Sequence, residues 1–286
     1  MIGSHKIKFT LLIFLLIARL ALFGQVYSNG DDAREKHFIY EVKEIDEFFE
    51  RFNDDPSSFI RAAFKSYHAK FNISRQKLIK SLFNHEGRTW DSAVVSQFIS
   101  EMTNKKSPVF LDFYGDDWYA ELDCKFKYNS DFIIIPLVMK IEATHTKGSK
   151  WMIAAVGPNI IKSNIQVTEM APSKIKTRCI SPTSHATNFV SLKRAFADKE
   201  NLSNYFKASY FKRPNMMEFY NAILNNEIEF LYVIKIKYHF LVANDWIFTV
   251  EDFPREALNS GWLINSMEKV SSGDLENYRN KLLNGN

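Results

Sequence analysis

Cysteine occurs twice in 286 residues, at Cys124 and Cys179. That is too few for the disulfide framework of a small secreted scaffold, and no Cys-x-x-Cys or His-x-x-x-His spacing offers a structural zinc site. Glycine and proline are scarce, at ten and eight residues, which leaves little chain for long flexible linkers. No uninterrupted apolar run reaches the ~20 residues that a bilayer-spanning helix needs. The phosphate-cradling and catalytic signatures G-x-x-x-x-G-K-S/T, G-x-G-x-x-G, G-x-S-x-G and H-E-x-x-H are missing, as is an EF-hand loop. Aromatic residues are plentiful instead: 25 Phe, 12 Tyr and 5 Trp in a chain that is 46% hydrophobic and 24% charged. This composition excludes a disordered tail, a collagen-like rod and a multispan membrane protein, and the length suits one or two domains with sizeable cores.

The amino terminus has the order of a secretory signal peptide. His5, Lys6 and Lys8 precede an apolar segment over residues 9–18, Arg19 breaks it, and the small Gly24 and Ser28 follow. Residues 1–25 are therefore expected to be removed, with cleavage within residues 23–29. The alternative, an uncleaved anchor, has an apolar run too short to cross a bilayer. No cysteine near the cleavage region can accept a lipid. Cleavage takes away Lys6, Lys8 and Arg19 and no acid, so the formal charge falls from +4 to +1. A near-neutral exported chain lacks the positive field that phosphate-backbone binding requires, so nucleic acid is not an expected partner, nor is a stable membrane span. The expected location is periplasmic or secreted. There Cys124 and Cys179 can either bridge, adding about 4 kcal/mol in the chain-entropy model, or remain separate thiols.

Periodicity divides the mature chain. Residues 37–103 read as short helices. Phe38, Val42, Ile45, Phe48, Phe49 and Phe52 form one apolar stripe, which Asn53-Asp54-Asp55-Pro56 ends. Phe59, Ile60, Ala63, Phe64, Tyr67 and Phe71 form a second. Ser74 caps a third helix and Thr89 a fourth. Beyond Ser107 the period changes to two. Residues 109–114 read as an apolar strand, 118–128 as a half-buried strand, 132–143 as a strand that Pro136 marks as an edge or bulge, and 151–156 as a third partner. Residues 157–184 are a connection. Helical pattern returns over 187–206 and after Pro214, followed by strands at 234–242, 246–253 and 262–270 and a last helix over 274–283. Short connections make sequential strands antiparallel neighbours. The order of helices and then a meander thus occurs twice, over residues 37–158 and 185–286. It predicts an α+β protein, either as two related units, which the repeated order favours, or as one large sheet flanked by helices.

Helices followed by a curved meander that closes in Ser260-Gly261-Trp262-Leu263-Ile264 resembles the NTF2-like superfamily. The residues carrying the likeness are 118–156 and 234–270. It implies a cone of sheet and helices around a pocket, possessed by some members that are isomerases or dehydratases and by many that are binding or assembly modules. Within such a cone, Asp112 in an apolar strand is the candidate base, and Tyr114, on the same strand face, the candidate donor to a developing oxyanion. Asp252 is a weaker candidate of the same kind. Trp118, Tyr128, Trp246 and Trp262 are the candidate ligand-binding aromatics. Ser74-Arg75-Gln76-Lys77 fits S-x-x-K but lacks the companion motifs of a serine acylase and reads as a helix cap. The histidines, His5, His37, His68, His85, His145, His185 and His239, stand singly. No metal or cofactor is expected, and His239, alternating with Lys235 and Lys237, is expected on a solvated sheet face. The leading expectation is a non-enzymatic exported module that binds an envelope protein or an apolar small molecule. The alternative is a small-molecule isomerase or hydrolase that uses a pocket carboxylate.

Overall fold

A computed structural model describes residues 40–67, 73–144, 148–158, 161, 169–213 and 215–285. The expected signal peptide, the stripe positions Phe38 and Phe71, and His5, His37, His68 and His145 lie outside the described residues. The chain divides into two compact units, Met1–Glu41 with Glu256–Leu258, and Val42–Arg255 with Asn259–Asn286. Of the first, Tyr40, Glu41 and Glu256–Leu258 are described. All the elements below belong to the second.

Among the described residues four short helices come first: α1 (Ile45–Asn53), α2 (Phe59–Tyr67), α3 (Arg75–Ser81) and α4 (Ser92–Met102). The stripe of α1 is buried as its spacing predicts, through Ile45, Phe48, Phe49 and Phe52, and the helix stops at Asp54 in the left-handed region. The Ser74 side chain accepts the Lys77 N–H, so the S-x-x-K tetrad is a cap. Thr89 does not cap α4. Asp91 does, its carboxylate accepting the N–H groups of Ala93 and Val94 at 2.8 and 3.3 Å, and an ionised acceptor suits a helix start better than a hydroxyl. Arg75 ties the helices together, donating to the carbonyls of Phe52 (2.8 Å), Met102 (3.1 Å) and Val109.

Six strands follow in two groups: β1 (Trp118–Tyr128), β2 (Asp131–Ala143) and β3 (Ser149–Val156), then β4 (Ile228–Val242), β5 (Trp246–Phe253) and β6 (Gly261–Lys269). They form one antiparallel sheet in the order β3-β2-β1-β4-β5-β6. The two meanders are thus joined, where the repeated order favoured two units. β1 and β4 pair from Trp118↔Phe240 to Tyr128↔Ile228, which satisfies two strand edges that separate meanders would leave open. Register shifts beside Cys124 and Phe126 disturb the alternation on β4, which is why the strand begins at Ile228 and not at Ile234 as its pattern suggests. Further shifts in the β2–β3 and β5–β6 ladders add to the curvature. Pro136 lies one residue beyond the β2–β3 pairing, where its missing N–H breaks no ladder bond. Residues 109–114 form no strand; they end in a turn in which Asp112 O accepts the Gly115 N–H.

One sheet face is the main core. Phe48 and Phe52 of α1 and Phe98 of α4 meet Phe240, Phe248 and Trp246 at ring separations of 5.2–6.2 Å. Towards the other end, Phe126, Phe196, Phe219 and Phe230 make a second aromatic knot, with Phe196 and Phe219 supplied by α5 (Ser191–Ala197) and α6 (Met216–Leu224). The abundance of phenylalanine is explained by this packing of short helices on a curved sheet. The opposite sheet face is covered in part by the last helix, α7 (Ser272–Asn284), whose Leu282 and Leu283 pack with Tyr119, Val138, Ala154, Ala155 and Leu241. Two glycines are required by close approach: at φ +80° a Cβ on Gly261 would lie 2.0 Å from the Val42 carbonyl oxygen, and at φ +73° one on Gly285, which caps α7, 2.2 Å from that of Val156. Among the described residues no helix is long and apolar enough to cross a membrane.

Candidate functional site

The residues singled out in the sequence do not converge. Asp112 is exposed and accepts the Tyr114 N–H at 2.9 Å, in the turn that replaces the expected strand. Tyr114 is 62% exposed. Asp112 and Trp118 share the lining of a cavity of about 120 Å³, room for only a few waters. Trp118 and Trp262 both pack on Tyr238, at 5.7 and 4.9 Å. Trp262 and Asp252 line another cavity of about 280 Å³ beside Asn188 and Lys235. Trp246 is fully buried, donating its indole N–H to Glu101 at 2.8 Å, and Tyr128 ends β1 half-buried. Cys124 and Cys179 are both free, the first buried on the core face of β1 and the second exposed, so the bridge considered from sequence is not formed. Burial pushes the Cys124 thiol up.

Two clusters that single-element patterns did not reveal arise where distant segments meet. The first lies beneath α7. His239 is buried, not solvated: Nε2 lies 2.9 Å from Glu121 Oε2 and Nδ1 lies 2.7 Å from the Tyr278 hydroxyl. One neutral tautomer satisfies both contacts, with Nε2–H donating to the carboxylate and the phenol donating to Nδ1. The hydrogen bond from His239, aided by Lys237, holds the Glu121 carboxyl down to about 2 against the opposing effect of burial. Burial pushes the Tyr278 phenol up to about 12, which suits a latch and not a nucleophile. Beyond the helix the same face continues as a charge ladder in which Asp123 opposes Lys235 and Lys237 opposes Glu251. The second cluster is inside. His185 Nε2 lies 3.2 Å from Asp46, and Nδ1 is 2.8 Å from the Pro182 carbonyl. Burial opposes the charged ring, yet the Asp46 carboxylate prevails and raises its proton affinity above the ordinary imidazole value. Tyr238 is fully buried, and its hydroxyl has no hydrogen-bond partner among the described residues.

An open concavity lies elsewhere, between α3 and α4. A cleft of about 580 Å³ is lined by Lys80, His85, Glu86, Arg88, Thr89 and Trp90, with Val95 and Ile99 of α4 among its apolar lining. Its loop is held from behind. Asn84, 1% exposed, accepts from the Gly87 N–H at 3.0 Å and from Arg255 at 2.9 Å, while its own N–H bonds to Ile264 O on β6. Asn259 accepts the His85 N–H at 2.9 Å and donates to Phe83 O at 2.8 Å. The Trp90 indole N–H donates to Asn84 O at 3.0 Å, fixing the ring, and the Arg88 guanidinium lies 5.0 Å over it. The chain matches no family model, no curated protein and no solved structure. Function must therefore be argued from this geometry alone. Among the described residues no group of three or more His, Cys, Asp or Glu side chains is arranged to hold a metal ion. Composition hints at the cleft only afterwards: Lys80, His85, Arg88 and Trp90 fall within eleven residues, but their convergence depends on Asn84, Arg255 and Asn259 meeting across the fold.

Proposed function

We propose that this protein is an exported, non-enzymatic binding or assembly module, with the NTF2-like cone as the architecture of its helices and curved sheet, and that its ligand is taken in the cleft between α3 and α4. The observation that carries the reading is the packing of the inner sheet face: Trp118, Trp246, Phe48, Phe52, Phe98 and Phe248 fill with side chains much of the space where a cone would hold a ligand. The titratable groups brought together there and beneath α7 are engaged with one another, His185 with Asp46 and His239 with Glu121, as a fold-stabilising pair is and a substrate-facing base is not. By contrast the cleft is open, of the volume small ligands occupy, and backed by a hydrogen-bonded loop. A calorimetric titration of the purified chain with a panel of small amphiphiles, with recovery of the ligand afterwards, tests the reading. Saturable binding of an unaltered ligand supports it, and steady conversion of the ligand to product overturns it.

The isomerase or hydrolase alternative loses Asp112 as its base, because that carboxylate faces solvent in a turn. One observation still favours it: the buried Tyr238 hydroxyl lacks a partner among the described residues, a feature found at sites that use the group chemically. Tyr238→Phe separates the two, since it removes activity only if the phenol acts on a substrate.

A further inference from the structure

Building on the binding module just proposed, we infer that the cleft between α3 and α4 recognises a small organic anion: a carboxylate or phosphate monoester carried on a flat apolar body. The apolar part of the site is Val95 and Ile99, 6% and 8% exposed, together with the Trp90 ring. Phe83 packs edge-on against that ring at 5.0 Å, and the Trp90 indole N–H is already committed to Asn84 O, so what Trp90 offers a ligand is its apolar surface. The charged part is cationic. Lys80 and Arg88 line the cleft, while the one carboxylate there, Glu86, is paired with Arg255 at 3.6 Å. Arg88 spends one N–H on Asn265 O at 2.7 Å, which leaves further donors of the planar fork for an acid group. Its contacts with Asn265 and Trp90 hold it in place before a ligand arrives, so little side-chain freedom is lost on binding. Thr89 and Ser92 add hydroxyls to the same lining, and Ser96 directs its own hydroxyl at the Ser92 carbonyl. A cation would meet two positive side chains and a neutralised carboxylate. A neutral ligand would leave the Lys80 and Arg88 donors unused. An acid with a ring satisfies both halves of the cleft.

Calorimetry on the full chain with phenylacetate, phenyl phosphate and the neutral 2-phenylethanol tests this. Both acids are expected to bind, with the alcohol weaker by about tenfold or more, since hydrogen bonds between charged groups are stronger than neutral ones. The ratio of the two acids tells a carboxylate site from a phosphate site. Lys80→Gln and Arg88→Gln should each weaken the acids by about tenfold and leave the alcohol unchanged, and acid affinity should fall as salt rises. Lys80 is exposed, so its variant keeps the test decisive even if Arg88→Gln folds poorly. The inference is overturned if neither acid binds, if the alcohol binds as tightly as the acids, or if folded Lys80→Gln and Arg88→Gln proteins bind the acids like the parent. In that last case the acids bind elsewhere and the binding-module reading stands. Conversion of either acid to product would overturn that broader reading instead.

Discussion

Glu121→Gln should cost about 2–3 kcal/mol of stability at pH 7. The carboxyl sits at about 2 in the folded protein against an ordinary value of 4.5, and each unit corresponds to about 1.4 kcal/mol. The Glu121 side chain is 26% exposed, and solvent screening there places the effect below the full product. Its sign is fixed by linkage: folding favours the ionised form, so the contribution is complete above about pH 4.5 and is lost as the pH falls towards 2. Glutamine keeps the shape and an acceptor for His239 but removes the charge. Urea unfolding of the parent and variant at pH 7 and at pH 3 measures the difference. The gap should shrink at pH 3 to less than half its value at pH 7, and the melting temperature at pH 7 should fall by about 5–10 °C. A gap under about 0.5 kcal/mol at pH 7, or one of equal size at both pH values, would refute the idea that this ion-paired latch helps hold α7 to the sheet.

Three further outcomes follow from buried geometry. Gly261→Ala should destabilise by about 3 kcal/mol or more in a denaturant titration, because the added methyl meets the Val42 carbonyl and φ is positive; a neutral result would contradict the close approach of β6 to that residue. Cys179 should react with a thiol reagent in the native protein while Cys124 reacts only on unfolding, and equal rates would show that the face of β1 is misassigned. His185 takes up its proton more readily in the folded state, so the stability it lends is complete below about pH 6.5 and fades as the pH rises through its higher folded value. The stability gap between the parent and His185→Gln should therefore narrow towards pH 9, and a gap that widens instead would rule out the Asp46 pairing.

The strands were legible wherever one face is wet and the other dry. Residues 118–128 have the limits that their alternation predicts, and residues 246–253 those expected from the turn before them, although both faces of that strand are buried. Legibility failed where tertiary contacts override the pattern. Residues 109–114 are apolar enough for a strand, yet Asp112 and Gly115 close a turn there. Residues 187–206 read as one helix, but the chain divides into the short helix α5 and a separate turn of helix over 199–205, with Asn188 and Phe189 both at positive φ. His239 alternates with lysines and looks solvated until α7, more than thirty residues later, covers it. The pairing of β1 with β4 joins segments over a hundred residues apart, and no local period encodes such a pairing. The candidate cleft was illegible for the same reason: its residues are ordinary in sequence, and only the part-buried Asn84–Arg255–Asn259 network makes them a site.

The indole N–H resonances of Trp90, Trp118, Trp151, Trp246 and Trp262 sample the cleft, both smaller cavities and the aromatic core at once. Titrating labelled protein with phenylacetate and following all five is the most direct test of the claim that recognition occurs outside a filled sheet face. Trp90 should move with saturation while the other four stay still; movement of Trp118 or Trp262 with Trp90 unaffected would place the ligand within the sheet's inner face and contradict the account.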